Sequence, residues 1–177
     1  MQLTEKIKSL IRDIPDFPRQ GIAFKDITPL LEDPQTVASI VKRITAHYGT
    51  QKIDAVAAIE ARGFLFGMLL SQALKVPFVP IRKEGKLPFD KIKQEYALEY
   101  GNASVEMHSD AVKAGWQVLI HDDLLATGGT AGAAAKLIQQ LKGEVAGFSF
   151  IVNLSFLPGC EALESNFYRK PHYLIQY

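Results

Sequence analysis

One cysteine, Cys160, one tryptophan and four histidines are spread over 177 residues. A lone cysteine rules out an intrachain disulfide and a cysteine-rich zinc site, which fits a reducing, cytoplasmic setting. His47, His108, His121 and His172 are too scattered to read as a metal cluster. Lys and Arg number 20 against 19 Asp and Glu, and no basic run stands out, so nothing here points to nucleic acid. No apolar stretch is long and unbroken enough to span a bilayer, so no membrane partner is expected. The opening MQLTEKIKSLIRD carries charge throughout and has no signal-peptide core. Two nucleotide signatures are also missing. No GKS or GKT follows the glycines, as a Walker A loop would need, and GxGxxG is absent. With 47% apolar and 22% charged residues, the chain reads as a single globular domain over residues 1–177.

Hydrophobic periodicity orders that domain. Leu3, Ile7, Leu10, Ile11 and Ile14 predict an amphipathic helix over 3–13, stopped by Pro15 and Pro18. Residues 15–34 are too apolar for a linker and too interrupted for a regular element. They are expected to pack on the body, so that residues 1–34 form a helix and a small hood. A helix is predicted over 35–48. Residues 54–59, 63–74 and 76–81 read as strand, helix and strand, which is a βαβ unit. Residues 83–94 are polar and basic, with Gly85 and Pro88, and read as a mobile loop. EYALEYG and ASVEMH alternate with period two and predict an antiparallel hairpin joined near Gly101 and Asn102. WQVLIHD is a further core strand, 130–142 a helix, 147–153 a strand and HYLIQY a short edge strand. The fold class is therefore α/β, with a mainly parallel central sheet flanked by helices.

The stretch HDDLLATGGTAG concentrates chemistry. Asp122 and Asp123 follow a core strand, and in an open parallel sheet ligands collect at the carboxyl ends of strands. Two unpaired buried carboxylates would be costly, so they call for ligand hydroxyls, a nearby cation or simple exposure. Gly128 and Gly129 permit a tight turn with accessible amides, Thr127 and Thr130 add hydroxyls, and a helix N-terminus follows. Carboxylates for hydroxyls beside a nest for phosphate suit a phosphorylated sugar.

WQVLIHDDLLATGGTAG resembles the 5-phosphoribosyl-1-diphosphate motif of the type I phosphoribosyltransferases. FPRQGIAFKDITPLL, EARGFLFG with IRKEGKLP, and EYALEYG extend the resemblance over nearly the whole chain, in the form of the adenine-using branch. The resemblance implies that branch's fold, with a hood and an antiparallel flexible-loop hairpin. It also implies transfer of the phosphoribosyl group to N9 of adenine, giving AMP and diphosphate.

Site roles follow from the same resemblance. Asp122 and Asp123 would hold the ribose hydroxyls, and Ala126, Thr127, Gly128, Gly129 and Thr130 the 5′-phosphate. Glu60, Ala61, Arg62, Arg82, Lys83 and Lys86 would form the diphosphate site, with a non-proline cis peptide between Glu60 and Ala61. Ala23, Phe24, Lys25 and Leu124 would bind adenine, and Lys25 stands where many relatives carry arginine near the diphosphate. Glu95 and Tyr96 match the catalytic-loop positions, with Arg62 as a further catalytic group and Glu95 the candidate for proton transfer at the imidazole. Glu99 and Tyr100 read as structural. Mg²⁺ is expected on diphosphate, ribose hydroxyls and water, with no protein metal ligands. The family also implies a homodimer, with GFLFGMLL a segment that could serve both core and interface. Relatives specific for hypoxanthine, guanine or orotate share the Asp-Asp and Thr-Gly elements, and some proteins of this fold bind the phosphoribosyl compound as regulators.

Overall fold

The computed structural model describes residues 2–97 and 101–177. Seven strands form one sheet in the order β5-β6-β4-β3-β7-β8-β9. At its centre lie β3 (Ala55–Ile59) and β7 (Gln117–Leu125), parallel to each other. From β3 the chain passes through α4 (Arg62–Leu74) to β4 (Phe78–Lys83) on one side. From β7 it passes through α5 (Gly129–Gln140) to β8 (Glu144–Asn153) on the other. The two crossovers diverge, which opens a crevice between the carboxyl ends of β3 and β7. Strand β3 is apolar throughout and β8 nearly so, because helices cover both faces of the sheet there.

One core joins Phe66 and Leu70 of α4 to Ile40, Ile44 and Tyr48 of α3 (Pro34–Tyr48), and to Ile7 of α1 (Leu3–Leu10). The other packs the alanine-rich α5 and Leu163 of α6 (Gly159–Phe167) on the opposite face. Local chemistry sets the helix ends. Asp33 caps α3 by accepting from the amides of Gln35 at 3.2 Å and Thr36 at 3.1 Å, and Pro34 supplies a preset first turn.

The structure departs from the sequence reading in several places. The first helix ends at Leu10, and Arg12–Ile14 is a strand, β1, antiparallel to β2 (Phe24–Asp26). Pro15 restricts Ile14 to extended geometry, and Arg12 pairs with Asp26 across the ribbon at 2.8 Å. The hood thus contains regular structure, including the single turn α2 (Thr28–Leu31). Residues 91–94 belong to a strand rather than a loop. Here β5 (Lys91–Ala97) pairs with β6 (Asn102–His108) from Lys91↔His108 to Ala97↔Asn102. The charged residues alternate outward while Ile92, Gln94 and Tyr96 are partly buried. Lys93 also finds Glu84 at 3.0 Å. Glu99 and Tyr100, read as structural, lie outside the described residues. Helix α6 has no counterpart in the sequence reading, while HYLIQY does form an edge strand, β9 (His172–Gln176), parallel to β8. Among the described residues no helix is long and apolar enough to cross a membrane.

Candidate functional site

The crevice gathers the segments after β3 and the end of β7. Asp122 and Asp123 do not follow the strand, as the sequence suggested, but lie within it. The ladder to β3 stops at Ala58↔His121, while the ladder to β8 continues to Leu125↔Asn153. The aspartates are thus held firmly on one side and border the crevice on the other.

Asp123 is 2% exposed. Arg62 Nε lies 3.0 Å from its Oδ2, close enough for an ion pair, yet no aligned hydrogen bond reaches that oxygen. Asp122 Oδ1 accepts the Asp123 amide at 2.9 Å. Burial raises the pKa of Asp122 well above the usual carboxylate range, and the Asp123 charge pushes it the same way. Burial also raises Asp123, against the opposing pull of Arg62. A buried pair with an unbonded acceptor oxygen is suited to hydroxyl donors.

Beyond the aspartates a cavity of about 80 Å³ is lined by Asp122, Leu124, the loop from Ala126 to Thr130, and Phe150. Two larger clefts, of about 400 Å³ beside His47 and about 570 Å³ beside Val37, lie away from this chemistry, so volume does not mark the site. Gly128 has φ +82° and caps α5 without any side-chain hydrogen bond to the first turn. The first amides of α5 therefore lack intrahelical and side-chain acceptors, the arrangement that receives an oxyanion. The small residues also meet α6. A Cβ on Gly128 would stand 3.1 Å from the Gly159 carbonyl oxygen, and one on Gly159 would overlap that of Ala126. Gly159 is a supporting position that the sequence reading missed. Pro158, Glu161 in the first turn and the Leu163/Phe167 pair were the available helix signals.

The peptide between Glu60 and Ala61 is cis. Glu60 does not present its carboxylate as a free group. One oxygen takes Arg82 Nε at 2.5 Å and the other the Lys83 amide at 2.9 Å. Arg82 also donates to the Lys86 carbonyl at 2.9 Å, so Glu60 and Arg82 together shape the turn carrying Lys83 and Lys86. These contacts hold the Glu60 pKa below its ordinary value despite burial.

Arg62 connects the crevice to the hood. It donates to the Lys25 carbonyl at 3.3 Å and lies 4.8 Å from the centroid of the Phe24 ring. Phe24 meets Phe17 edge-on at 5.1 Å and is half-buried, while Ala23 is exposed. Lys25 meets Arg62 through its carbonyl, while its side chain turns to a different partner. Its ammonium pairs with Asp13 at 2.6 Å. Leu124 is partly buried against the core that also holds Ile27 and Leu30.

The hairpin reaches the loop from Ala126 to Thr130 through Tyr96. A Cβ on Gly129 would stand 3.2 Å from the Tyr96 ring, and a cleft of about 350 Å³ joins Glu95 and Tyr96 to Thr127, Gly128 and Gly129. Gln140 of α5 donates to Gln94 at 2.9 Å and ties the strand down. The Glu95 carboxylate is 65% exposed and lies 3.8 Å from Lys93, so the structure does not turn it into the crevice.

The chain is similar to known proteins over most of its length. A sequence profile for the phosphoribosyl transferase domain matches residues 27–168. The chain belongs to the phosphoribosyltransferase family. It is 53% identical to an adenine phosphoribosyltransferase of Cytophaga hutchinsonii over 161 residues, 91% of this chain and 89% of the relative. The crystal structure of adenine phosphoribosyltransferase from Thermoanaerobacter pseudethanolicus matches with a TM-score of 0.94 at 48% identity, over 98% of this chain and 99% of that one. The Saccharomyces cerevisiae enzyme, complexed with D-2,5-dideoxy-2,5-imino-altritol 1,6-bisphosphate and adenine, matches at 0.89 and 36% identity, over 97% and 98%. The fold is that of the type I phosphoribosyltransferases, with the mainly parallel sheet, hood and hairpin that the resemblance implied.

Proposed function

We propose that this chain transfers the 5-phosphoribosyl group of 5-phosphoribosyl-1-diphosphate to N9 of adenine, giving AMP and diphosphate. One observation carries the reading. Asp122 and the uncapped N-terminus of α5 line the same small cavity at the point where the sheet's crossovers diverge, with the buried Asp123 next to Asp122 in the strand. Relatives named as adenine phosphoribosyltransferases, over nine tenths of the chain, supply the choice of base.

Asp122 and Asp123 accept the ribose hydroxyls, and Ala126, Thr127, Gly128, Gly129 and Thr130 enclose the 5′-phosphate with short side chains and amides. Ala61, Arg62, Arg82, Lys83 and Lys86 serve the diphosphate. Glu60 contributes by aiming Arg82 and the Lys83 amide rather than by touching an anion that would repel it. Ala23 reads the adenine edge through its main chain, Phe24 and Leu124 flank the ring, and Lys25 acts through its carbonyl and its place in β2.

Displacement of diphosphate at C1 leaves positive charge on the ribose, so preorganised groups around donor and leaving group lower the barrier. Water competes for that carbon, and the β5–β6 hairpin resting on Gly129 excludes it. Proton transfer at the purine falls to a hairpin carboxylate. Glu95 fills that role only if it turns away from Lys93. Mg²⁺ is the cofactor of this reading. Among the described residues no three His, Cys, Asp or Glu side chains gather to hold a metal ion. The unbonded Asp123 oxygen fits an ion held through ribose hydroxyls and water, and such an ion would neutralise charge on the leaving diphosphate. We place the protein in the cytoplasm as a homodimer. The exposed Leu65, Met68 and Leu69 of α4, with Leu31, form the apolar face that supports the dimer.

Incubation with the phosphoribosyl donor, Mg²⁺ and adenine, followed by chromatography, tests the reading. AMP formation dependent on Asp122 and Asp123 is expected. Donor binding without AMP would replace the enzyme with a regulator.

A further inference from the structure

Lys25 is the residue whose placement the proposed reaction leaves unexplained. Its side chain is buried inside the hood instead of facing the diphosphate. The ammonium lies 2.6 Å from Asp13 Oδ1 and 3.7 Å from the centroid of the Tyr177 ring. Only 9% of the residue is exposed. A buried ammonium persists only where partners replace its water, and here a carboxylate and an aromatic face do so.

We propose that Tyr177, together with Asp13, is a positioning residue for adenine, fixing strand β2 over the base site by clamping Lys25. This inference rests on the adenine reading of the hood. The β1–β2 ribbon has only three residue pairs, Arg12↔Asp26, Asp13↔Lys25 and Ile14↔Phe24. A two-stranded ribbon of that size does not hold itself in water and needs an anchor on the body. Tyr177 is such an anchor. Its amide donates to the Asn153 carbonyl of β8 at 3.0 Å, and its own carbonyl accepts the Ser155 amide at 2.9 Å and hydroxyl at 2.6 Å. The ring is thereby fixed to the sheet, with Lys25 on its face. Asp13, directly opposite Lys25 in the ribbon, keeps the ammonium there.

What the clamp controls lies immediately beside it. The Lys25 carbonyl accepts from Arg62, and Phe24, next in sequence, lies under the Arg62 guanidinium. A slip of β2 would move both groups proposed to meet adenine. Arg62 is held a second time by Asp123, so the donor site is buffered against the same slip. The clamp also accounts for lysine at this position. A compact ammonium sits on one ring face and takes one carboxylate oxygen, a geometry different from the planar fork of arginine.

Steady-state kinetics on the full chain test the clamp. Tyr177→Leu is expected to raise KM for adenine about tenfold, with kcat and KM for the phosphoribosyl donor changed less than about twofold. Tyr177→Phe keeps the ring face and is expected to restore the adenine KM. Lys25→Met is expected to raise it as Tyr177→Leu does, and the double variant to add nothing beyond the larger single effect. An unchanged adenine KM in Tyr177→Leu, additive effects in the double variant, or equal increases in both KM values would overturn the clamp. Should Tyr177→Leu not fold, Lys25→Met and Tyr177→Phe carry the same contrast. Wild-type protein runs alongside. If it makes no AMP the functional reading fails, whereas normal turnover with an insensitive Tyr177→Leu defeats only the clamp.

Discussion

Gly63 offers a sharp test of how the site is assembled, because it touches no proposed substrate atom. It lies in the first turn of α4, beside Arg62, against the strand that carries the aspartates. A Cβ built there would stand 2.9 Å from Asp122 Oδ1, 3.1 Å from Asp122 Cα and 3.1 Å from the His121 carbonyl oxygen. Two of these three atoms are backbone and cannot rotate aside. Two effects compete in Gly63→Ala. Alanine in a helix gains up to about 1 kcal/mol over glycine. Forcing a methyl into a packed backbone contact costs about 1–3 kcal/mol. Since the obstruction is mostly main chain, the steric cost wins, and a net loss of about 1–2 kcal/mol is expected. The relief motion would tilt α4 or rotate Asp122, displacing Arg62 or the carboxylate. A shift of that kind lowers kcat/KM for the phosphoribosyl donor by about 10- to 100-fold. Urea denaturation at constant slope reports the stability, and initial rates at varied donor concentration report the site. A gain of about 1 kcal/mol with unchanged donor kinetics would refute this packing of α4 against β7.

Other perturbations address separate parts of the account. Asp122→Asn is expected to reduce kcat/KM for the donor by about 100-fold or more while leaving stability equal or higher, because it removes one of two like charges in a buried site; a large loss of stability in a urea melt would contradict it. His121 is fully buried and its pKa falls to about 3 from desolvation. The unfolded chain binds that proton first, so stability should drop by up to about 1.4 kcal/mol per pH unit as pH falls below about 6.5. The raised aspartates act in the opposite direction, because the folded state takes up their protons first as pH falls. Asp122→Asn should therefore steepen the acid loss between about pH 6.5 and 4, and a flatter profile would count against these assignments. As the hairpin stands, Glu95→Gln should change kcat by less than about threefold. A fall of about 100-fold or more would show that β5 turns Glu95 inward during turnover, and Glu99→Gln measured beside it locates the proton partner if Glu95 is silent.

The parts of the fold that sequence made legible are those where one physical signal dominates. AVAAI is apolar throughout because both faces of β3 are covered, and α3 announces itself with Asp33, Pro34 and a helical stripe. The loop from Ala126 to Thr130 was readable because its small side chains leave few other uses. Legibility failed where two signals conflict. KIKQ alternates like a strand, but its charges suggested a loop, and the partners Glu106 of β6 and Glu84, in the turn after β4, make those charges compatible with pairing. Residues 12–14 continue a helical pattern yet extend, since Pro15 and the β2 partner outweigh three residues of periodicity. The orientation of Lys25 was beyond reach, because its partner Tyr177 lies 152 positions away in sequence. The approach of Gly159 to Ala126 is likewise a contact between segments that no local pattern links.

The most direct test of the central claim is diphosphate release from 5-phosphoribosyl-1-diphosphate and Mg²⁺, with adenine, hypoxanthine, guanine, xanthine and orotate supplied one at a time. The account predicts release and nucleotide formation with adenine alone. Release with a different base would keep the transferase chemistry of the crevice but contradict the hood as an adenine site, and no release with any base would contradict the transferase itself.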